Sequence, residues 1–248
     1  MTVKQIFEFL DSKFPISTAC DFDNVGILVG DSNAKVNKAL LSLDCTLDTV
    51  KKAVDSECQL IITHHPVIFS PLKSVLNGSI VYELIRNNIA VISMHTNLDV
   101  GLGGVNTCLC DVLGLQNTEI FIAEDGYALQ KGEIAECSAE SFAELLKNKL
   151  NTVVKYVDGG KVIKNVLVCS GSGGNFISDA IKGSFDALVT ADVKHNQFLE
   201  AYDSAVSLFD CGHYNTEDIV IEPLCDVLRA EFKEIEFITT HITNIKYK

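Results

Sequence analysis

Basic residues are scarce in this sequence: 20 lysines and arginines stand against 33 aspartates and glutamates, for a formal net charge of −13 at pH 7. That deficit argues against broad electrostatic association with nucleic acid or an anionic membrane, because either partner would be repelled over most of the surface. An anionic substrate would need local cations, and bound divalent ions are one source. No apolar run approaches the length needed to span a bilayer, so no membrane-spanning segment is expected. The stretch Met1 to Leu10 reads as the start of an amphipathic helix carrying an acidic residue, not as a secretory signal. The nine cysteines (Cys20, Cys45, Cys58, Cys108, Cys110, Cys137, Cys169, Cys211 and Cys225) form no CxxC pair and no dense framework. They read as reduced, mostly buried small residues, and the expected compartment is the cytoplasm. Low-complexity segments, heptad arrays and short-period repeats are also missing.

The chain has 248 residues and 47% hydrophobic content, enough to bury a substantial core as one large domain or two interlocked lobes. The stretch Ile61-Ile62-Thr63-His64-His65-Pro66-Val67-Ile68-Phe69 puts two imidazoles where an apolar run stops. Pro66 disfavours helix at His65, and neighbouring side chains on extended backbone point apart. The pair is therefore expected to reach two different ions rather than grip one.

Around it the periodicity runs strand, helix, strand, helix, strand over Asn37–Leu43, Thr46–Ser56, Gln59–Thr63, Ser79–Asn87 and Ile89–Met94, a parallel α/β pattern. Ligand crevices in such sheets lie at the carboxyl ends of the strands. Here three successive strands end in Asp44, in His64-His65 and in His95, with Asp99 four residues further on, before Gly101-Leu102-Gly103-Gly104. The earlier run Asp21 to Gly30 reads as a turn into a short strand.

A second α/β region follows, with strands expected at Glu119–Ala123, Tyr127–Ala135, Val153–Val157, Val166–Cys169 and Asp186–Thr190. A helix is expected over Ser141–Leu150, where Ser141 and Glu144 have capping-box spacing. Ser170-Gly171-Ser172-Gly173-Gly174 lies between a strand and a helix, which suits either anion binding by backbone N–H groups or a tight turn; the GK[ST] of a P-loop is missing. Past the apolar run ending at Phe209 come His213 and Glu217, spaced to share one face of a helix start. Asp192 stands where it can orient His195, and both His195 and His241 read as structural.

Strand ends thus supply His64, His65, His95, Asp99, His213 and Glu217. Imidazole and carboxylate without thiolate suit Zn, Mn, Fe, Ni or Co better than a zinc-finger site. Either Asp99 or Glu217 can bridge two ions, and two ions about 3.5–4 Å apart can make a shared water nucleophilic near neutral pH.

The segments THHPVIF, HTNLDV and GHYNTE, with Asp23-Asn24-Val25-Gly26 and Leu43-Asp44, closely resemble the NIF-three-like family of dinuclear-metal proteins, whose bacterial members carry the label GTP cyclohydrolase I type two. The likeness spans essentially the whole chain and matches the short form, without a large central insertion. It implies two divalent metal ions per chain held by His64, His65, Asp99, His213 and Glu217, with Glu217 bridging and His95 beside them as an acid–base group. It further implies two interlocked α/β lobes with mainly parallel strands, residues 1–118 with 205–248 forming the metal-binding lobe and 119–204 the second. The assembly implied is a toroidal homohexamer, and the substrate implied is a small molecule of the GTP kind. The alternative is a metal carrier or ring-shaped adaptor without catalysis. One departure stands out: where relatives often carry a histidine after the one matching His195, this chain has Asn196.

Overall fold

A computed structural model describes residues 1–246; the last two residues of the expected first lobe lie outside the described residues. The fold is α/β, and among the described residues the strands form two sheets, each in its own compact unit.

The first unit comprises Met1–Leu102 and Ile221–Lys246. Helix α1 (Val3–Lys13) opens with a capping box between Thr2 and Gln5 and buries Val3, Ile6 and Leu10. Strands β1 (Gly26–Val29) and β2 (Lys38–Ser42), helix α2 (Leu47–Asp55), strand β3 (Leu60–Thr63), helix α3 (Ile80–Arg86), strand β4 (Ala90–Ser93) and helix α4 (Thr96–Val100) follow. Neighbours β4, β3 and β2 run parallel, so the ends that carry His95, His64-His65 and Asp44 share one edge. These strands are buried on both faces, which explains their continuous apolar runs.

The second unit spans Gly103–Val220. It holds α5 (Val105–Leu113), β5 (Gln116–Ile122), β6 (Ala128–Cys137), α6 (Ala139–Leu150), β7 (Lys155–Val157), β8 (Ile163–Ser172), α7 (Ile177–Lys182), β9 (Ala187–Ala191), α8 (His195–Asp203), β10 (Ser207–Asp210) and α9 (His213–Glu217). Its sheet order is β5-β6-β8-β9-β10-β7, with β8, β9 and β10 parallel. Alternation along β8 feeds two cores: Val166 and Val168 join Phe142, Leu146 and Phe209 on one face, while Leu167 and Cys169 join Phe176, Leu188 and Leu208 on the other. The chain then returns to the first unit through α10 (Ile221–Glu231) and β11 (Glu236–Thr239), which pairs in parallel with β2.

Two expectations need correction. The unit boundaries fall after Leu102 and Val220 rather than at 118 and 205, because α5 packs in the core beneath β8 and β10 pairs with β9. His213 and Glu217 therefore belong to the second unit. Helix α6 also starts earlier than expected, because Ser138 is the N-cap and its hydroxyl accepts from the Ser141 amide. Among the described residues, no helix is long and apolar enough to cross a membrane.

Candidate metal-binding residues

In the first unit the parallel strand ends gather three imidazoles. Ring centroids of His64 and His65 lie 5.0 Å apart, those of His64 and His95 5.2 Å, and those of His65 and His95 5.6 Å. One ring nitrogen from each falls within 4.8 Å of the others, close enough to serve a common ion. His64 and His65 lie past the end of β3 in a bend that the Thr63 hydroxyl tightens by donating to the His65 carbonyl at 2.8 Å, so strand alternation does not govern them. Asp99, on α4, places Oδ1 3.4 Å from His64 Nε2, and both residues are buried.

Each imidazole is held through Nδ1. His64 Nδ1 donates to the Met94 carbonyl at 2.9 Å, His65 Nδ1 to Asp44 Oδ1 at 2.7 Å, and His95 Nδ1 to Asp23 Oδ1 at 2.9 Å. These acceptors fix the proton on Nδ1 and make Nε2 the ligating nitrogen, the arrangement that metal-binding histidines use. Asp23 is itself tightly engaged, since its Oδ2 accepts from the Thr96 amide and hydroxyl. Burial alone would push the Asp23 carboxyl up, but the hydrogen bonds from His95 and Thr96 outweigh it and hold its pKa well below the usual carboxylate range.

In the second unit, α9 places His213 and Glu217 one turn apart, with His213 Nε2 3.0 Å from Glu217 Oε2. His213 Nδ1 is held by Asp192 Oδ2 at 2.7 Å, so the pattern of the first unit is repeated. Asp192 sits at a tight corner after β9 with φ +54°, and the Val193 amide secures that corner by donating to Asp210 Oδ2. Burial would lower the His213 pKa, but Glu217 and Asp192 outweigh it and raise it to about 9. Without a metal His213 therefore holds a proton at neutral pH, and an ion at Nε2 would displace it.

Asp192 thus serves His213 rather than His195. His195 and Asn196 are exposed at the start of α8, and His241 pairs at the surface with Glu222 Oε1 at 3.1 Å. The glycine stretch at the end of β8 is a packed turn. The Ser170 amide donates to Asn106 Oδ1, that of Gly171 to Thr216 Oγ1, and that of Gly173 to Thr190 Oγ1, so three of its amides are already committed inside the protein. The sequence assigns neither Asp23 nor Asp44 a role; the signals for them are their position before or at apolar strands and their place in the motifs that carry the family resemblance.

The donor set fits divalent transition metals: imidazoles fixed through Nδ1, carboxylates beside them, and no thiolate among them. The family model for Duf34/NIF3 (NGG1p interacting factor 3) matches residues 1–245. The chain belongs to this family. Among its relatives, the GTP cyclohydrolase 1 type 2 homolog of Campylobacter jejuni is 36% identical over 224 residues, covering 88% of each chain. That of Clostridium acetobutylicum is 32% identical over 230 residues, covering 88% of this chain and 85% of the other. The crystal structure of a Staphylococcus aureus hypothetical protein superposes with a TM-score of 0.93 at 30% identity, covering 100% of this chain and 99% of that one. Reduced HcgD from Methanocaldococcus jannaschii superposes with a TM-score of 0.85 at 27% identity, covering 96% and 97%.

Proposed function

We propose that this Duf34/NIF3 chain is a metal-dependent hydrolase of a small nucleotide-like substrate, with two divalent ions held by His64, His65, Asp99, His213 and Glu217. The observation that carries the reading is that His64, His65 and His213 are each held through Nδ1 by a carbonyl or carboxylate oxygen, the arrangement that metal-binding histidines use. Such ions, when bound, lower the pKa of a coordinated water and so supply a nucleophile near neutral pH. In the metal-free chain Glu217 offsets the positive charge of His213, and with metal bound its charge would offset the repulsion between ions. His95 has the chemistry of a proton carrier: Asp23 holds its Nδ1 proton and would stabilise the imidazolium formed when Nε2 takes up another. Its closeness to His64 and His65 also suits direct ligation. The proposal includes a homohexamer in the cytoplasm and a substrate of the GTP kind; the relatives' names support the substrate class.

A second reading, metal carriage without turnover, is favoured by the shortage of cations to meet a triphosphate. Arg86 is paired with Glu83, and Lys73 lies exposed on a loop. The deciding experiment incubates the metal-reconstituted and the chelated protein with a panel of nucleotides and phosphoesters and reads products by mass. Metal-dependent product that falls about 100-fold in His95→Ala supports the hydrolase. Full metal loading with no product from any of them supports the carrier.

A further inference from the structure

Gly171 lies at the end of the buried stretch of β8, itself buried, in a left-handed conformation with φ +58°. A Cβ built there would fall inside the van der Waals envelope of Glu217 Oε1 and 3.3 Å from His213 Nε2. The Glu217 carboxylate therefore rests on bare backbone, where a side chain at position 171 would displace it. Both partners of this contact are locked. The Gly171 amide donates to Thr216 Oγ1 at 3.0 Å, tying the turn to the residue before Glu217. Thr216 Oγ1 in turn donates back toward the Gly212 and His213 carbonyls at 3.1 and 2.9 Å, fixing the first turn of α9. The Gly171 carbonyl accepts from Thr190 Oγ1 at 3.1 Å, and Asn106 Oδ1 holds the Ser170 amide at 2.7 Å. Thr216, Thr190 and Asn106 are at most 1% exposed, so water does not compete for these bonds.

We infer that Gly171 is a positioning residue: its missing side chain and its anchored backbone form the seat that sets where the Glu217 carboxylate, and with it His213 Nε2, presents to a metal. The inference rests on the metal-binding reading above for its consequence, though not for the contact itself. It also accounts for Gly171 without a bound anion. A Cβ at Gly173 would collide with Cys169 Sγ and Cβ and with Thr190 Oγ1, so packing alone accounts for that glycine.

The test compares wild type with Gly171→Ala, Glu217→Ala and the double variant, and uses Gly126→Ala as a control. Gly126 also has a left-handed backbone, φ +88°, but nothing lies within 4 Å of its Cβ position, so it reports backbone strain alone. In the metal-free proteins the thermal midpoint of Gly171→Ala should drop below that of Gly126→Ala, and the Glu217→Ala background should recover the difference. Equal losses with and without Glu217 overturn the contact. The metal readout is cobalt(II) titration, with equivalents by elemental analysis and the visible spectrum of the bound ion. Gly171→Ala should weaken the Glu217-dependent ion 10–100-fold and alter its spectrum, while Gly126→Ala leaves both unchanged. Wild-type affinity and spectrum in Gly171→Ala would overturn the positioning role even if the thermal coupling is found. A wild type that binds no cobalt, with the coupling intact, would sink the metal reading and leave the Gly171 seat standing.

Discussion

Asp23 Oδ1 holds His95 Nδ1 at 2.9 Å across 72 residues of sequence, and the same carboxylate ties down the Thr96 amide. The pair fixes the imidazole tautomer. In metal-free protein the ¹⁵N signals of His95 should report a proton held on Nδ1, and Asp23→Ala should scramble that assignment. An unchanged tautomer in the variant would remove Asp23 from the account.

The depressed Asp23 pKa has a stability consequence in acid. Because folding lowers the pKa below its ordinary 3.8, the contribution is present above that value and is lost as pH falls through the acid range below it. Denaturant midpoints measured between pH 5 and 2.5 should therefore fall more steeply in wild type than in Asp23→Asn. Parallel curves would contradict the linkage.

Burial pushes the thiols of Cys45 and Cys110 up to about 12 from an ordinary 9.0, with the nearby carboxylates of Asp44 and Asp111 adding to it. A pKa raised by folding means the native state keeps its proton longer. Stability should hold below pH 9 and decline as pH rises above it, by up to about 1.4 kcal/mol per pH unit for each such thiol. Urea unfolding at pH 8, 9 and 10 checks the sign. Mass mapping after brief alkylation of native protein at pH 8 should find Cys45 and Cys110 unmodified.

The start of α6 gives a local test. Ser138→Ala should cost about 1 kcal/mol by removing the cap, whereas Ser141→Ala should cost only a few tenths. In the core beneath it, Phe209 is fully buried, with Phe142 edge-on at 5.1 Å and Tyr156 stacked at 5.4 Å. Phe209→Ala should cost about 3–5 kcal/mol of unfolding free energy. A loss under about 1 kcal/mol would mean that this core is looser than drawn.

Periodicity is enough to read the central strands of the first sheet, because β2, β3 and β4 are buried on both faces and their apolar runs stop just before Asp44, His64-His65 and His95, whereas β11 gives no such signal. It was also enough to place His213 and Glu217 on one helix. What it missed depends on contacts between distant residues. Asp23 looks like any turn aspartate until the fold carries it to His95. Asp192 was expected to orient the nearby His195, yet the corner after β9 turns its carboxylate to His213. The bend at His64-His65 was hidden because Pro66 suggested continued extension. The sequence of the Ser170–Gly174 turn does not reveal that its amides are already bonded internally.

The central claim is that the chain holds two ions and that Glu217 is needed for both to stay. Its most direct test is elemental analysis of protein stripped by chelator, reloaded with zinc or cobalt and desalted, for wild type, Glu217→Gln and His95→Ala in parallel. The account predicts two equivalents per chain in wild type, at least one lost in Glu217→Gln, and most of the metal kept in His95→Ala. A wild-type ceiling of one equivalent, or a site emptied by His95→Ala while Glu217→Gln keeps its full load, would contradict it and point instead to a single ion held by His64, His65 and His95.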